Sequence, residues 1–278
     1  MNLNIQKKRV EPFLKWAGGK SQLLEQFKVL FPKEGTYKRY IEPFIGGGAV
    51  FFYLEPKEAV ISDLNKDLIN AYKILKNNPQ ELIFLLKKYE KKHSKEFYLK
   101  IRNEYNFGKL NKINKAAHLI YLNKTCFNGL YRVNSKGEFN VPFGQHKKFI
   151  VNEEGLLSAS KILKRTKIDH ADFTQVLKTA KKGDFVYFDP PYYPLNASSN
   201  FTTYTKENFL EKEQEKLKEI FKELDSRGCM LMLSNSDTPY IRKLYKKWNI
   251  TKVSAKRFIN CIAEKRGDVS EVVVRNYK

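Results

Sequence analysis

Tyr40-Ile-Glu-Pro-Phe-Ile-Gly-Gly-Gly-Ala-Val-Phe-Phe-Tyr-Leu54 is the stretch on which the reading of the fold turns. Tyr40 to Phe44 is a short apolar run of the kind that makes a buried strand. Gly46, Gly47 and Gly48 follow it, and then an apolar helix. Ala59 to Ser62 reads as a second strand, with Asp63 at its end. Strand, glycine turn, helix, strand and terminal acid in that order describe a βαβ unit, and so an α/β domain. Glycines after the first strand let the backbone approach a nucleotide, and the helix start offers free N–H groups. A carboxylate at Asp63 can accept from both hydroxyls of a ribose. A dinucleotide fingerprint needs a small residue where Phe51 stands, which disfavours nicotinamide cofactors. The plainer alternative is a cluster of turn glycines with a capping aspartate.

Upstream, Phe13-Leu-Lys-Trp-Ala-Gly-Gly-Lys-Ser21 ends like a phosphate loop. That loop requires glycine where Leu14 stands, so an ATPase is rejected. Lys20 at a helix start still suits an anionic ligand group such as a carboxylate. Leu23, Leu24, Phe27 and Leu30 mark one face of the helix that follows. Downstream, Leu64 to Thr125 is helical and lysine-rich. Leu130 to Val133, the turn Asn134 to Gly137, and Glu138 to Val141 then spell a hairpin. After a helix over Glu153 to Lys164, strand-like segments return at Lys167–His170, Asp184–Phe188, Cys229–Ser234 and Val272–Val274. A helix over Lys206 to Ser226 lies between two of them, and Asn196 to Asn200 reads as a mobile loop.

The chemistry is concentrated in Asp189-Pro-Pro-Tyr192, directly after the apolar strand Phe185-Val-Tyr-Phe188. Pro190 and Pro191 hold a stiff turn at the carboxyl end of a strand, where open α/β sheets bind ligands. An exocyclic adenine amine is a poor nucleophile because its lone pair is delocalised into the ring. The Asp189 carboxylate and the Pro190 carbonyl are two acceptors for its hydrogens. Aimed at them, they localise that pair for in-line attack on a sulfonium methyl, and positioning supplies much of the rate. Tyr192 offers a stacking face. The bland alternative is an ordinary strand-end turn.

The composition agrees with a nucleic-acid partner. The net charge is +22, from 52 Lys and Arg against 30 Asp and Glu, which attracts polyanions and displaces their counterions. Cys126, Cys229 and Cys261 show no metal-ligand or disulfide spacing, so no metal is expected. No apolar run reaches membrane-spanning length and the N-terminus lacks a signal-peptide core, so a cytoplasmic protein without a membrane partner is expected.

Together the motifs resemble the Dam family of DNA adenine-N6 methyltransferases, in the group that orders the cofactor motif before the recognition region and D-P-P-Y. The resemblance runs from Phe13 to about Val274. It is carried by FLKWAGGK at 13–20, EPFIGGGAVF at 42–51, NGLYR at 128–132, GEFNVPFG at 137–144, ADF at 171–173 and DPPY at 189–192. It implies a Rossmann-like methyltransferase with a mostly parallel seven-stranded sheet and an inserted helical DNA-recognition domain. The expected boundaries are 1–65 and 160–278 for catalysis, and 66–159 for the insert with a β-hairpin at 128–143.

The implied cofactor is S-adenosyl-L-methionine, held by Trp16, Ala17, Lys20, Phe44, Gly46, Gly48, Asp63, Asp172, Phe173 and Asp189. Lys20 stands near its methionine end and Asp172 accepts from its amino group. Asp189, Pro190, Pro191 and Tyr192 are the implied catalytic set, gripping a flipped adenine. The implied partner is double-stranded DNA, read within GATC by Lys15, Phe127, Asn128, Leu130, Arg132, Pro142 and His146. Phe127 and His146 stand where some relatives carry tyrosine; the first change keeps a stacking ring, and the second replaces a phenol with an imidazole. For this stretch the alternative is a structural hairpin with a solvated arginine.

The resemblance is compatible with a monomer and with a partner endonuclease that is no stable subunit, and with a restriction-modification or a housekeeping role. Against it stand a non-catalytic DNA-binding protein with a decayed methylase fold, and an RNA or protein methyltransferase. A cytosine-C5 enzyme is disfavoured because none of the cysteines follows a proline.

Overall fold

The computed structural model describes residues 9–145, 148–195, 209–256 and 268–278. Its strands are β1 (Tyr40–Glu42), β2 (Ala59–Asp63), β3 (Thr166–His170), β4 (Phe185–Phe188), β5 (Met230–Ser236), β6 (Asn249–Lys256) and β7 (Asp268–Arg275). Its helices are α1 (Leu24–Phe27), α2 (Ala49–Leu54), α3 (Lys66–Asn77), α4 (Pro79–Lys92), α5 (Lys95–Phe107), α6 (Lys112–Thr125), α7 (Glu153–Lys164), α8 (Val176–Thr179), α9 (Glu211–Ser226) and α10 (Pro239–Leu244). None is long and apolar enough to cross a membrane. The chain divides into two compact units, one of 20–45, 56–69 and 166–278, the other of 1–19, 46–55 and 70–165. The described segment 9–19 and segment 46–55 fall in the unit that holds the helices. Aromatic packing accounts for this: Phe13 meets Phe52 and Tyr72 edge-on, and Trp16 stacks on Tyr131.

The first unit is built on a seven-stranded sheet of order β3-β2-β1-β4-β5-β7-β6. Strands β3, β2, β1, β4 and β5 pair in parallel, and β7 runs antiparallel to both β5 and β6. This is the mostly parallel seven-stranded sheet that the family resemblance implies. Every residue of β4 is buried, as a central parallel strand covered on both faces requires. Its core joins Val186 and Phe188 to Leu231 and Leu233, to Val272 and Val274, and to Leu217, Ile220, Phe221 and Leu224 of α9. The spacing of those four on α9 is one helical face. The chain order reverses between β1 and β4, and such a switch point leaves a ligand crevice at the carboxyl ends of the two strands. The expected helix after Gly19 is shorter than its spacing suggests: a single 3₁₀ turn at Lys20–Gln22, then the one turn of α1. The expected Lys206–Ser226 helix begins at Glu211, after the non-helical Phe209 and the extended Leu210, while 206–208 and Asn196–Asn200 lie outside the described residues.

The second unit is helical. Tyr98, Tyr121, Leu82, Leu86, Leu119 and Leu122 fill its core, each almost wholly buried. Inside it His118 joins Tyr89 through Nδ1 (3.1 Å) and Glu104 through Nε2 (3.1 Å). The expected hairpin is present as a turn, with Asn134 N–H donating to Glu138 O (2.9 Å). Its flanks make only the isolated bridges Val133–Phe139 and Cys126–Phe143, not two continuous strands. The helices take the backbone groups that a ladder would use. Asn106 both accepts from Phe139 N–H (2.9 Å) and donates to Phe139 O (3.0 Å), and the Tyr98 hydroxyl donates to Val141 O (2.8 Å).

Candidate active site

In the sheet unit, Asp189 leaves the end of β4 beside β1, at the switch point. Its Oδ1 lies 2.7 Å from Lys20 Nζ, and the two side chains are 19% and 5% exposed. Burial pushes the Asp189 carboxyl up to about 6; the Lys20 ammonium opposes that shift and Glu271 adds to it. Lys20, expected at an anionic ligand group, therefore has a carboxylate of the protein as partner. Its ammonium also sits 4.7 Å from the centre of the Tyr192 ring. The Tyr192 hydroxyl donates to Glu271 Oε2 at 2.7 Å. Burial, helped by the charges of Asp189 and Glu271, holds that phenol well above its ordinary pKa, so it stays a donor. Next to these, Glu42 at the end of β1 is 2% exposed and accepts from the Tyr40 hydroxyl (2.7 Å). Burial pushes its carboxyl well above the usual range, against the pull of that hydrogen bond.

The proline turn is held from behind by buried amides. Gln214 Nε2 donates to Pro191 O (3.1 Å), Asn235 Nδ2 donates to Gln214 Oε1 (3.0 Å), and Tyr193 N–H donates to Asn235 Oδ1 (3.0 Å). The Ser236 hydroxyl donates to Tyr193 O (2.7 Å). Gln214, Asn235, Ser236 and Glu271 are absent from the expected site, and Glu42 enters it only as the first residue of the glycine motif. A polar residue inside an otherwise apolar strand or helix face is the signal that marks them. Asp63 ends β2 and its Oδ1 accepts from Asn65 N–H (2.9 Å); Asp172 accepts likewise from Thr174 N–H (2.9 Å). Both acids thus shape their own turns, as the capping alternative supposes for Asp63. Phe44 stacks on Phe173 at 5.3 Å and 25°.

Trp16, Ala17, Gly46 and Gly48 belong to the helical unit, whereas Lys20, Phe44, Asp63, Asp172, Phe173 and Asp189 belong to the sheet unit. Trp16 lies 5.0 Å from Tyr131 at 18°. A Cβ on Gly46, at φ +45°, would stand 2.9 Å from the Trp16 ring. That glycine therefore serves Trp16 packing as well as turn geometry.

The recognition residues lie in the same unit, except that His146 falls outside the described residues. Phe127 is 49% exposed beside Asn128, which takes the left-handed φ of 56°. Pro142 O accepts from Phe127 N–H (2.9 Å), and Leu130 O accepts from the Cys126 thiol (3.2 Å). Arg132 is exposed, and its Nε donates to Asn140 Oδ1 at 2.9 Å. Lys15 is exposed but its backbone is clamped by the fully buried Asn123, also absent from the expected site. Asn123 accepts from Lys15 N–H (2.8 Å) and donates to Lys15 O (2.8 Å) and Gly129 O (3.1 Å). The fit is close enough that a Cβ on Gly129 would meet Lys15 Cδ at 2.3 Å.

Asn123→Ala strips those backbone groups of their partner. With roughly 1–3 kcal/mol for each buried group left unsatisfied, partly relieved by water, the expected loss of stability is about 3 kcal/mol. Urea unfolding of both proteins measures it. A loss below about 0.5 kcal/mol, the range of a neutral surface substitution, overturns the clamp.

Residues 16–259 match the model of the D12 class N6 adenine-specific DNA methyltransferases. The chain is 46% identical to the type II methyltransferase M1.LlaDCHI of Lactococcus lactis subsp. cremoris, covering 100% of this chain and 99% of that one. It is 49% identical to the type II methyltransferase M.MjaIII of Methanocaldococcus jannaschii, covering 96% and 99%. It is 33% identical to the DNA adenine methylase of Escherichia coli K12, covering 96% and 95%. With the family's sheet, its D-P-P-Y corner at the switch point and a match over most of its length, the chain belongs to the D12 class of N6 adenine-specific DNA methyltransferases.

Proposed function

We propose that the protein transfers a methyl group from S-adenosyl-L-methionine to N6 of an adenine turned out of duplex DNA, within GATC. The observation that carries this reading is Asp189, a part-buried carboxylate at the end of β4, fixed by Lys20 and followed by two prolines and a tyrosine. The donor set suits a nucleoside cofactor. Asp63 and Asp172 are acceptors for ribose hydroxyls and an exocyclic amine, Phe44 and Phe173 supply ring surface, and Lys20 supplies positive charge. Trp16, Ala17, Gly46 and Gly48 are the further cofactor contacts that the family resemblance implies. When bound, S-adenosylmethionine supplies an electrophilic sulfonium methyl. Asp189 and the Pro190 carbonyl accept from the amino hydrogens and localise the nitrogen lone pair, Pro191 stiffens the turn, and Tyr192 stacks on the base. The catalytic elements would be 1–65 and 160–278 and the recognition insert 66–159. Lys15 of the catalytic elements would contact DNA, as would Phe127, Asn128, Leu130, Arg132 and Pro142 of the insert and, outside the described residues, His146. The higher identity to proteins named type II methyltransferases supports a modification role beside an endonuclease. A monomer in the cytoplasm suffices for this chemistry.

Tritiated methyl transfer to duplexes that differ from a GATC site at one base pair tests the reading, with 2-aminopurine at the target in a parallel set. The expected result is label on the GATC duplex alone and a rise in fluorescence on binding, because extrusion unstacks the base. Tight DNA binding without transfer supports the decayed-fold alternative. Fluorescence that fails to rise at saturating protein with both the wild type and Tyr192→Ala removes base flipping, and with it the stacking role of Tyr192.

A further inference from the structure

Glu271 lies on β7, the strand that runs antiparallel to its neighbours, opposite Ser236 of β5 and Val253 of β6. The next three residues, Val272, Val273 and Val274, are fully buried core. A carboxylate at the edge of such a run is costly unless it has a partner. Its partner is the hydroxyl of Tyr192, at 2.7 Å. The Tyr192 ring is thereby held at two points. Glu271 takes the hydroxyl, and the Lys20 ammonium, itself bound to Asp189, lies against the ring. A hydrogen bond from a neutral phenol to a carboxylate is among the stronger kinds and restricts the ring to one rotamer.

We propose that Glu271 is a positioning residue for methyl transfer: by accepting from the Tyr192 hydroxyl it locks the ring in the orientation that stacks on the target adenine. The proposal rests on the methyl-transfer reading above. Glu271 touches neither base nor cofactor in this scheme; it acts through Tyr192. Its loss therefore lowers kcat by letting the ring, and the base stacked on it, leave the attack geometry.

The test is a double-mutant cycle with Glu271→Ala, Tyr192→Phe and the pair combined, plus Glu271→Gln, measured as kcat and as KM for S-adenosylmethionine on one GATC duplex. Glu271→Ala and Tyr192→Phe each remove the same hydrogen bond, and each is expected to lower kcat about tenfold with KM changed less than about twofold. The double variant is expected to be no slower than the worse single one. Glu271→Gln keeps an acceptor oxygen and is expected to recover most of the rate. Thermal unfolding of every variant separates this from loss of fold. Quenching of 2-aminopurine by the stacked tyrosine, which needs no turnover, is expected to weaken in Glu271→Ala and return in Glu271→Gln. Losses that multiply in the double variant, or wild-type kcat and wild-type quenching in Glu271→Ala, overturn the proposal. Wild-type transfer to the duplex decides the reading beneath it; the ratios among variants decide the role of Glu271.

Discussion

Asp189→Ala is expected to lower turnover at least about a hundredfold, because it removes an acceptor for N6 and leaves a buried amine hydrogen unpaired in the transition state. The Lys20 partnership adds a second consequence. Lys20 is 4% exposed, and removing Asp189 takes away the carboxylate 2.7 Å from a buried ammonium. Breaking a buried pair this way costs about 3–5 kcal/mol, so a lower melting temperature is expected along with the lost rate. Asp189→Asn keeps the shape and an acceptor oxygen for Lys20. Assayed well below its melting temperature, it isolates the chemistry.

The pH dependence has a definite sign. An acid whose pKa is raised above its ordinary value is ionised only above the raised value. In the proposed mechanism Asp189, pushed up to about 6 by burial, serves as the acceptor above about pH 6 and loses that role as pH falls. kcat/KM for S-adenosylmethionine reports the free enzyme, and is expected to fall about tenfold per unit below that point. By the same sign Asp189 favours the folded state most below its ordinary pKa and least once pH has risen past about 6. Near-wild-type turnover in both variants, or a kcat/KM flat from pH 7.5 to 5, removes Asp189 from the catalytic step.

Arg132→Ala is expected to relax specificity at one guanine of GATC, by about 1–3 kcal/mol or roughly 5- to 150-fold in kcat/KM ratio. The structure sharpens the reason. Asn140 Oδ1 takes Nε, so the two terminal nitrogens of the guanidinium make no hydrogen bond among the described residues. A fork held by one edge is preorganised for O6 and N7 of guanine, a geometry that lysine cannot reproduce. The measurement is kcat/KM on GATC and its single-base variants at one salt concentration, with the affinity for S-adenosylmethionine as control. If every value drops together and the preference profile keeps its shape, Arg132 contacts phosphate and reads no base.

Local pattern was enough for the elements whose burial is uniform along the chain. Strands β1, β2, β4 and β5 begin as apolar runs and β7 carries its valine run, and the D-P-P-Y turn can sit only where a strand stops. Strand β6 escaped because Asn249-Ile-Thr-Lys-Val-Ser-Ala-Lys256 mixes lysines with small residues. An edge strand paired on one side needs no apolar run. The hairpin was visible as turn chemistry, but its pairing was not. Side chains of Asn106 and Tyr98 compete for the backbone groups, and sequence separation hides them.

The sequence by itself determined an α/β sheet with a helical insert, an acid at the end of β2, and a proline-stiffened aspartate and tyrosine after a buried strand. Each of these follows from spacing within about ten to twenty residues, the range over which periodicity and turn chemistry act. Only the tertiary structure decided which strands are neighbours, that Lys20 pairs with Asp189, that Glu271 holds Tyr192, and that Asn123 clamps Lys15. Those contacts join residues far apart in the chain. Their closure is set by how the sheet orders its strands and how the helices pack, and a polar residue records a local need for a partner without recording which partner meets it.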